Sequence, residues 1–290
     1  MKAIVLHPSQ CILGEGPIWH TERKCCYWVD IESGILFEYN WISRSTRTWT
    51  FVYQVTMVCP GQNNSLILGL NGGIGRFDLE SGKLEYILDV ETENQDIRCN
   101  DGACDSKGRL WIGSMHKEFK QDAASLYVID KDLKINIVLD DLTISNGLAW
   151  SPDNSRLYFI DSPTRVVQSF LFSEETGEIK FEKIVIEIPS DLGIPDGMTI
   201  DQEGMLWIAH WGGYGVYKWN PNDGALMEKI EIPAPYVTSC TFAGENLDHL
   251  VITTAKGDLN QADLARYPES GNTFWLKLEV KGFESNKCSF

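Results

Sequence analysis

Nowhere do apolar residues run far enough to suggest a membrane anchor. The N-terminal segment MKAIVLHPSQ reaches His7 and Pro8 well short of a signal-peptide core or the ~20 residues of a membrane span. It reads better as a β-strand. Basic residues are scarce, 25 against 41 acidic ones, for a formal net charge of −16. Such a surface repels polyanions, which excludes nucleic acid and anionic membranes as partners. Histidine is sparse too: none of the five (7, 20, 116, 210, 249) pairs with another at metal-ligand spacing. The eight cysteines are scattered without a C-x-x-C pair. With no export signal, we expect reduced thiols in a cytoplasmic protein. Long amphipathic helices are missing, as are Pro/Gly/Ser-rich linkers and low-complexity tracts, so residues 1–290 are expected to form one domain.

What the chain does have is a set of short apolar runs, among them CCYWVDI, SLILGL, RLWIGSM, RLYFIDS, MLWIAHW and LVITTA. Each follows a turn rich in Asp, Asn, Ser or Gly, the pattern of an all-β chain. Ten Trp, ten Tyr and twelve Phe suit strands as well. Four segments align: EGPIWHTERKCCYWVDI from Glu15, NDGACDSKGRLWIG from Asn100, NGLAWSPDNSRLYFID from Asn146 and DGMTIDQEGMLWIA from Asp196. Degenerate copies begin near Met57 and Thr238. Successive copies start 42, 43, 46, 50 and 42 residues apart, the length of a four-stranded blade. Six such units predict a six-bladed β-propeller with a central channel. The links 72–88 and 212–230 both carry Gly-Gly and then a hairpin, as the outer strands of a blade should. A blade ring must protect its sheet edges, so Lys2–Leu6 is expected to add a strand to the last blade.

In a propeller the innermost strands run along the channel, and equivalent repeat positions form a ring at one mouth. Glu15, Asn100, Asn146 and Asp196 occupy one such position. Two carboxylates in a partly dry channel repel each other unless one takes a proton or a cation sits between them. Oxygen donors suit hard divalent ions, Ca²⁺, Mg²⁺ or Mn²⁺ before Zn²⁺. The bland alternative is that Asn, Asp and Gly merely form Asx-turns at strand starts. Four copies in phase, one of them the poor turn former Glu15, favour a site. Asp30 and Asp161 follow apolar strands and read as caps, His210 as a packed residue. No G-x-S-x-G sequence marks a serine-hydrolase elbow.

With these residues in view, the sequence resembles the gluconolactonase/regucalcin family, the senescence-marker-protein-like lactonases. The matching stretches are LGEGPIW (13–19), R-C-NDG (98–102), GRLWIGSM (108–115), ISNGLAWSPD (144–153), IPDGMTIDQEGMLWIA (194–209) and TTAKGDLNQADLARYPESG (253–271). The resemblance implies a six-bladed propeller, one divalent metal in the channel (Ca²⁺, Mn²⁺, Mg²⁺, Zn²⁺ or Fe²⁺) and hydrolysis of a small-molecule sugar lactone to the aldonic acid. It implies Glu15, Asn146 and Asp196 as metal ligands, and Arg98, Asn100 and Glu118 as substrate-binding residues. Asp196 would also accept a proton from the attacking water. A Ca²⁺-binding regulatory protein and a metal-dependent organophosphate hydrolase are the alternatives on the same scaffold. A monomer or small homo-oligomer is expected.

Overall fold

The computed structural model describes residues 2–290, and its fold is all-β and propeller-like. Four separate sheets are four-stranded antiparallel meanders in chain order. They begin with the strands Gly14–His20, Val55–Pro60, Ile97–Cys104 and Ser145–Trp150. A fifth sheet has eight strands. Within it, Ile194–Ile200, Leu206–Trp211, Gly215–Asn220 and Ala225–Glu231 form one meander, and Tyr236–Ala243, His249–Ala255 and Thr273–Lys277 another. The two are joined by one residue pair, Trp211 with Tyr236. Isolated pairs of the same kind, Met115 with Ile144 and Leu13 with Ala255, link other neighbouring sheets. The strand Ile4–His7 completes the last meander by pairing with Thr273–Lys277, as its apolar sequence led us to expect.

The first strand of each meander packs against the first strands before and after it, and Tyr236–Ala243 returns to Gly14–His20. Apolar clusters fill the spaces between successive meanders. One example sets Tyr27, Val29 and Leu36 of the first against Val58, Leu66 and Phe77 of the second, all of them solvent-excluded. Burial of large side chains on both faces of every sheet is what makes the ring cohere.

The repeated turn owes its shape to a buried aspartate. Asp105 accepts from the N–H of Lys107 and Arg109 and from the Trp111 indole at 2.9 Å. Asp201 does the same for Glu203, Met205 and Trp207. Gly108 and Gly204 occupy the left-handed position of these turns, at φ 77° and 81°. In the Asn146 copy, the Ser151 hydroxyl takes over the aspartate's role and Asn154 the glycine's.

After its last strand the chain continues as a strap. Gly282 bridges to Asp201, Asn286 donates to the Cys104 carbonyl, and Ser289 donates to that of Gly108. The strap therefore runs from the fifth meander to the third. A short helix, Gln261–Arg266, precedes the final strand and is capped by the Asn260 side chain. No helix among the described residues is long and apolar enough to cross a membrane.

A candidate channel site

Each first strand loses register with its neighbour at or beside the repeat position: at Glu15–Ile18, Val55–Met57, Cys99–Gly102, Ser145–Leu148, Pro195–Met198 and Val237–Ser239. A bulge re-aims the side chain it carries. Here it lets successive residues leave the regular in-out alternation at the same level of the ring. In the two degenerate copies the bulge positions are Thr56 and Thr238. Thr238 is satisfied internally by Gly14 O and Thr253.

Glu15, Arg98, Asn100, Asn146 and Asp196 all line one cavity of about 720 Å³. All five are buried, at 6–9% exposure. Arg98 Nη1 donates to Asn100 Oδ1 at 2.6 Å, and Asn100 Nδ2 donates to Asn146 Oδ1 at 3.1 Å and to Ser145 O at 2.8 Å. Asn100 thus bridges the guanidinium to the next sheet, and much of its hydrogen-bonding capacity is used within the protein. Asn146 Nδ2 donates to Ser162 Oγ at 2.9 Å, and that hydroxyl donates to Pro195 O at 2.7 Å. Ser162 must therefore accept from Asn146, which turns the Asn146 amide oxygen toward the ring. Sequence reasoning missed Ser162, because it lies in the 3₁₀ turn Ser162–Thr164 outside the repeated strand.

Burial holds Glu15 well above the usual carboxylate range, up to about 8, and the neighbouring Asp101 charge adds to it. Asp196 is also raised, first by burial and then by Glu15 and Asp101. Burial pushes Asp101 up to about 6. Arg98 is the cation placed against this group, with Glu32 at the cavity rim beside it. One guanidinium beside the two buried carboxylates Glu15 and Asp196 leaves negative charge in excess, which protons or a cation would neutralise. Asp101, on the opening motif R-C-N-D-G, lines a second cavity of about 470 Å³ at the strap end.

Glu118 stands apart from this group. Its neighbours Lys117 and Phe119 line the large cavity, but Glu118 does not, and it is exposed. The reason is a tight turn: Phe119 N–H donates to His116 O, with Phe119 at φ 57°. The aspartates read as caps behave as such. Asp30 accepts from Ile12 and Leu13 N–H, and Asp161 from Thr143 and Ile144. His210 packs flat on Tyr217 at 4.0 Å, and burial lowers its pKa to about 4. Apolar residues line the same cavity, including Ile12, Ile31, Ile144 and Trp211, the last stacked on Tyr236 at 4.1 Å.

Fold and cluster together define an all-β propeller-like protein with a buried carboxylate–amide site facing a cavity. Residues 13–256 match the family model described as SMP-30/gluconolactonase/LRE-like region, and the chain belongs to that family. A Bacillus subtilis (strain 168) protein proposed to be a sugar lactone lactonase is 33% identical over 98% of this chain and 97% of its own. A pentonolactonase of Haloferax volcanii is 34% identical over 94% of each chain. The solved structure of a calcium-binding protein, regucalcin, from Agrobacterium tumefaciens strain C58 superposes with a TM-score of 0.92. It is 26% identical, covering 99% of this chain and 97% of that one. At the family level these relatives support a lactone-hydrolysing enzyme.

Proposed function

We propose that this protein hydrolyses a sugar lactone to its aldonic acid in the 720 Å³ cavity. The eight-stranded sheet, divided at its single Trp211–Tyr236 pair, makes six blades around one channel in this reading. The observation that carries the proposal is the convergence of Glu15, Asn146 and Asp196 on that cavity, with Arg98 and Asn100 beside them.

The residues fit a hard divalent cation. Two buried carboxylates supply charge that protons would otherwise cancel, and Ser162 orients the Asn146 amide as an oxygen donor. Glu15, Asn146 and Asp196 would hold it. When bound, such an ion supplies electrophilic assistance to the lactone carbonyl and stabilises oxyanion charge. Asp196, ionised once the local charge is balanced, accepts the proton of the attacking water. Arg98 retains donors beyond its bonds to Cys99 O and Asn100, and these face ring hydroxyls. The apolar wall including Trp211 covers the carbon face of the sugar and limits competing water. Lys117 and Phe119, rather than Glu118, meet the substrate from the 116–119 turn.

A calcium-binding protein without catalysis would have little use for a buried arginine in the same cavity. The test is a pH-stat panel of gluconic, arabinonic, xylonic and galactonic lactones, each with Ca²⁺, Mn²⁺, Mg²⁺ and Zn²⁺, on wild type and Asp196→Asn. Cation-dependent turnover of at least one lactone, lost in the variant, is the expected result. Absence of turnover across the panel, or retention of a tenth of the rate in Asp196→Asn, overturns it.

A further inference from the structure

Three of the eight free thiols gather outside the channel site. Cys59, Cys104 and Cys288 share one apolar cluster between the second and third meanders, at 3%, 5% and 0% exposure. Backbone contacts bring the three segments together: the Cys104 carbonyl accepts from Asn286 Nδ2, two residues before Cys288, and the carbonyl of Pro60, next to Cys59, accepts from Cys288 N–H. Two of the thiols sit on first strands of neighbouring meanders, and the third belongs to the C-terminal strap.

Hydrogen bonds seat the strap beside the first strands of the second and third meanders. Cys288 N–H donates to Pro60 O at 2.8 Å, and its carbonyl accepts from Gln62 Nε2 at 2.7 Å. On either side, Asn286 Nδ2 donates to Cys104 O at 3.0 Å and Ser289 N–H to Gly108 O at 2.9 Å. Gly108 cannot carry a side chain here, since a Cβ would lie 2.9 Å from Lys287 O. Cys59 and Cys104 also line the 470 Å³ cavity at this end, which gives a small oxidant a way in.

We propose that Cys104 and Cys288 form an oxidation site that closes into a disulfide under a hydroperoxide, fastening the strap to the third meander. In this scheme Cys288 reacts first: its thiol is held below the usual pKa beside Cys104 despite burial, and a small oxidant approaches it by way of the cavity that Cys59 and Cys104 line. Its thiolate attacks one peroxide oxygen, the O–O bond breaks, and hydroxide leaves to become water, giving a sulfenic acid. The Cys104 sulfur then attacks the Cys288 sulfur. The sulfenic hydroxyl departs with the Cys104 proton as a second water. Two thiols and one peroxide give one disulfide and two waters, with two electrons passing to the peroxide. Cys288 is chosen over Cys59 as the partner because its segment belongs to no sheet and can shift to meet disulfide geometry.

The test treats the purified full-length protein with hydrogen peroxide and follows intact mass, non-reducing peptide maps and thermal unfolding. The expected result is a loss of about 2 Da, one Cys104–Cys288 linked peptide, and reversal by dithiothreitol. The melting temperature should rise by roughly 5 °C or more, because the cross-link constrains a very long loop. Cys288→Ser should abolish the mass and temperature shifts, and Cys59→Ser should leave both in place. An unchanged mass under conditions that oxidise a free thiol peptide, or a link mapped to Cys59–Cys104, overturns the proposal. Should Cys104→Ser fold poorly, Cys288→Ser lies in the strap alone and still decides the question.

Discussion

Replacing Ser162 by Ala removes one hydroxyl and strands two partners. Ser162 is 3% exposed, and its Oγ accepts from Asn146 Nδ2 at 2.9 Å while donating to Pro195 O at 2.7 Å. Each bond is worth about 1 kcal/mol net, and each abandoned buried group adds a desolvation penalty, so a loss of about 2–4 kcal/mol is expected. For a chain of this size that lowers Tm by roughly 3–7 °C. The functional effect is separate. With no acceptor behind it, the Asn146 amide is held only by the Asn100 Nδ2 bond to its oxygen and is freer to rotate and present NH₂ to the ring. Supporting residues of this kind cost about 10–100-fold in metal affinity when removed. Glu15 and Asp196 are untouched, so turnover should recover at high cation concentration. Calorimetric titration with Ca²⁺ and Mn²⁺, thermal unfolding and lactone assays across cation concentration measure all three effects. A folded Ser162→Ala protein that binds cations as tightly as wild type refutes the orienting role.

Cation binding should release protons. With Glu15 raised to about 8, its carboxyl is mostly protonated at pH 7, and a cation must displace that proton, with more from Asp196. The folded pKa lies above the unfolded one, so the neutral carboxyl's stability contribution is present below about pH 4.5 and is lost as pH rises through about 8. The cation-free protein should therefore weaken over that window, and added Ca²⁺ or Mn²⁺ should reverse the loss. Titration in buffers of different ionisation enthalpy reads the proton count, and none at pH 7 would contradict the assigned donors. Deleting residues 1–7 removes the closing strand and bares the edge of Thr273–Lys277, so Tm should fall by roughly 5 °C or more. An unchanged melting curve would mean the ring does not depend on that closure.

The phase of the repeat was legible because Asp-turn-Gly-aromatic units such as DSKGRLW and DQEGMLW impose the same bonds wherever they occur. That phase placed Glu15, Asn100, Asn146 and Asp196 on equivalent strands, and their convergence followed from it. The threonines of the two degenerate copies were harder to read, since a ring position without carboxylate or amide carries no chemical mark. Ser162 was illegible for another reason: its role depends on where a 3₁₀ turn of one meander meets Pro195 of the next. The outward position of Glu118 was illegible because three residues of turn geometry, ending in left-handed Phe119, decide which way it faces. The C-terminal strap has no hydrophobic period of its own. Its path is written in complementarity with Cys104, Gly108 and Pro60.

Because Ile4–His7 pairs with Thr273–Lys277, the last meander is completed by two segments made far apart in synthesis. Ser9 and its hydrogen-bond partner Thr273 are 264 residues apart. At a ribosomal pace of about 5–20 residues per second, the early segment waits roughly 10–50 s for its mate. Throughout that interval an apolar strand edge is on offer to any passing chain, so crowded expression should favour exchange of this one strand between nascent copies.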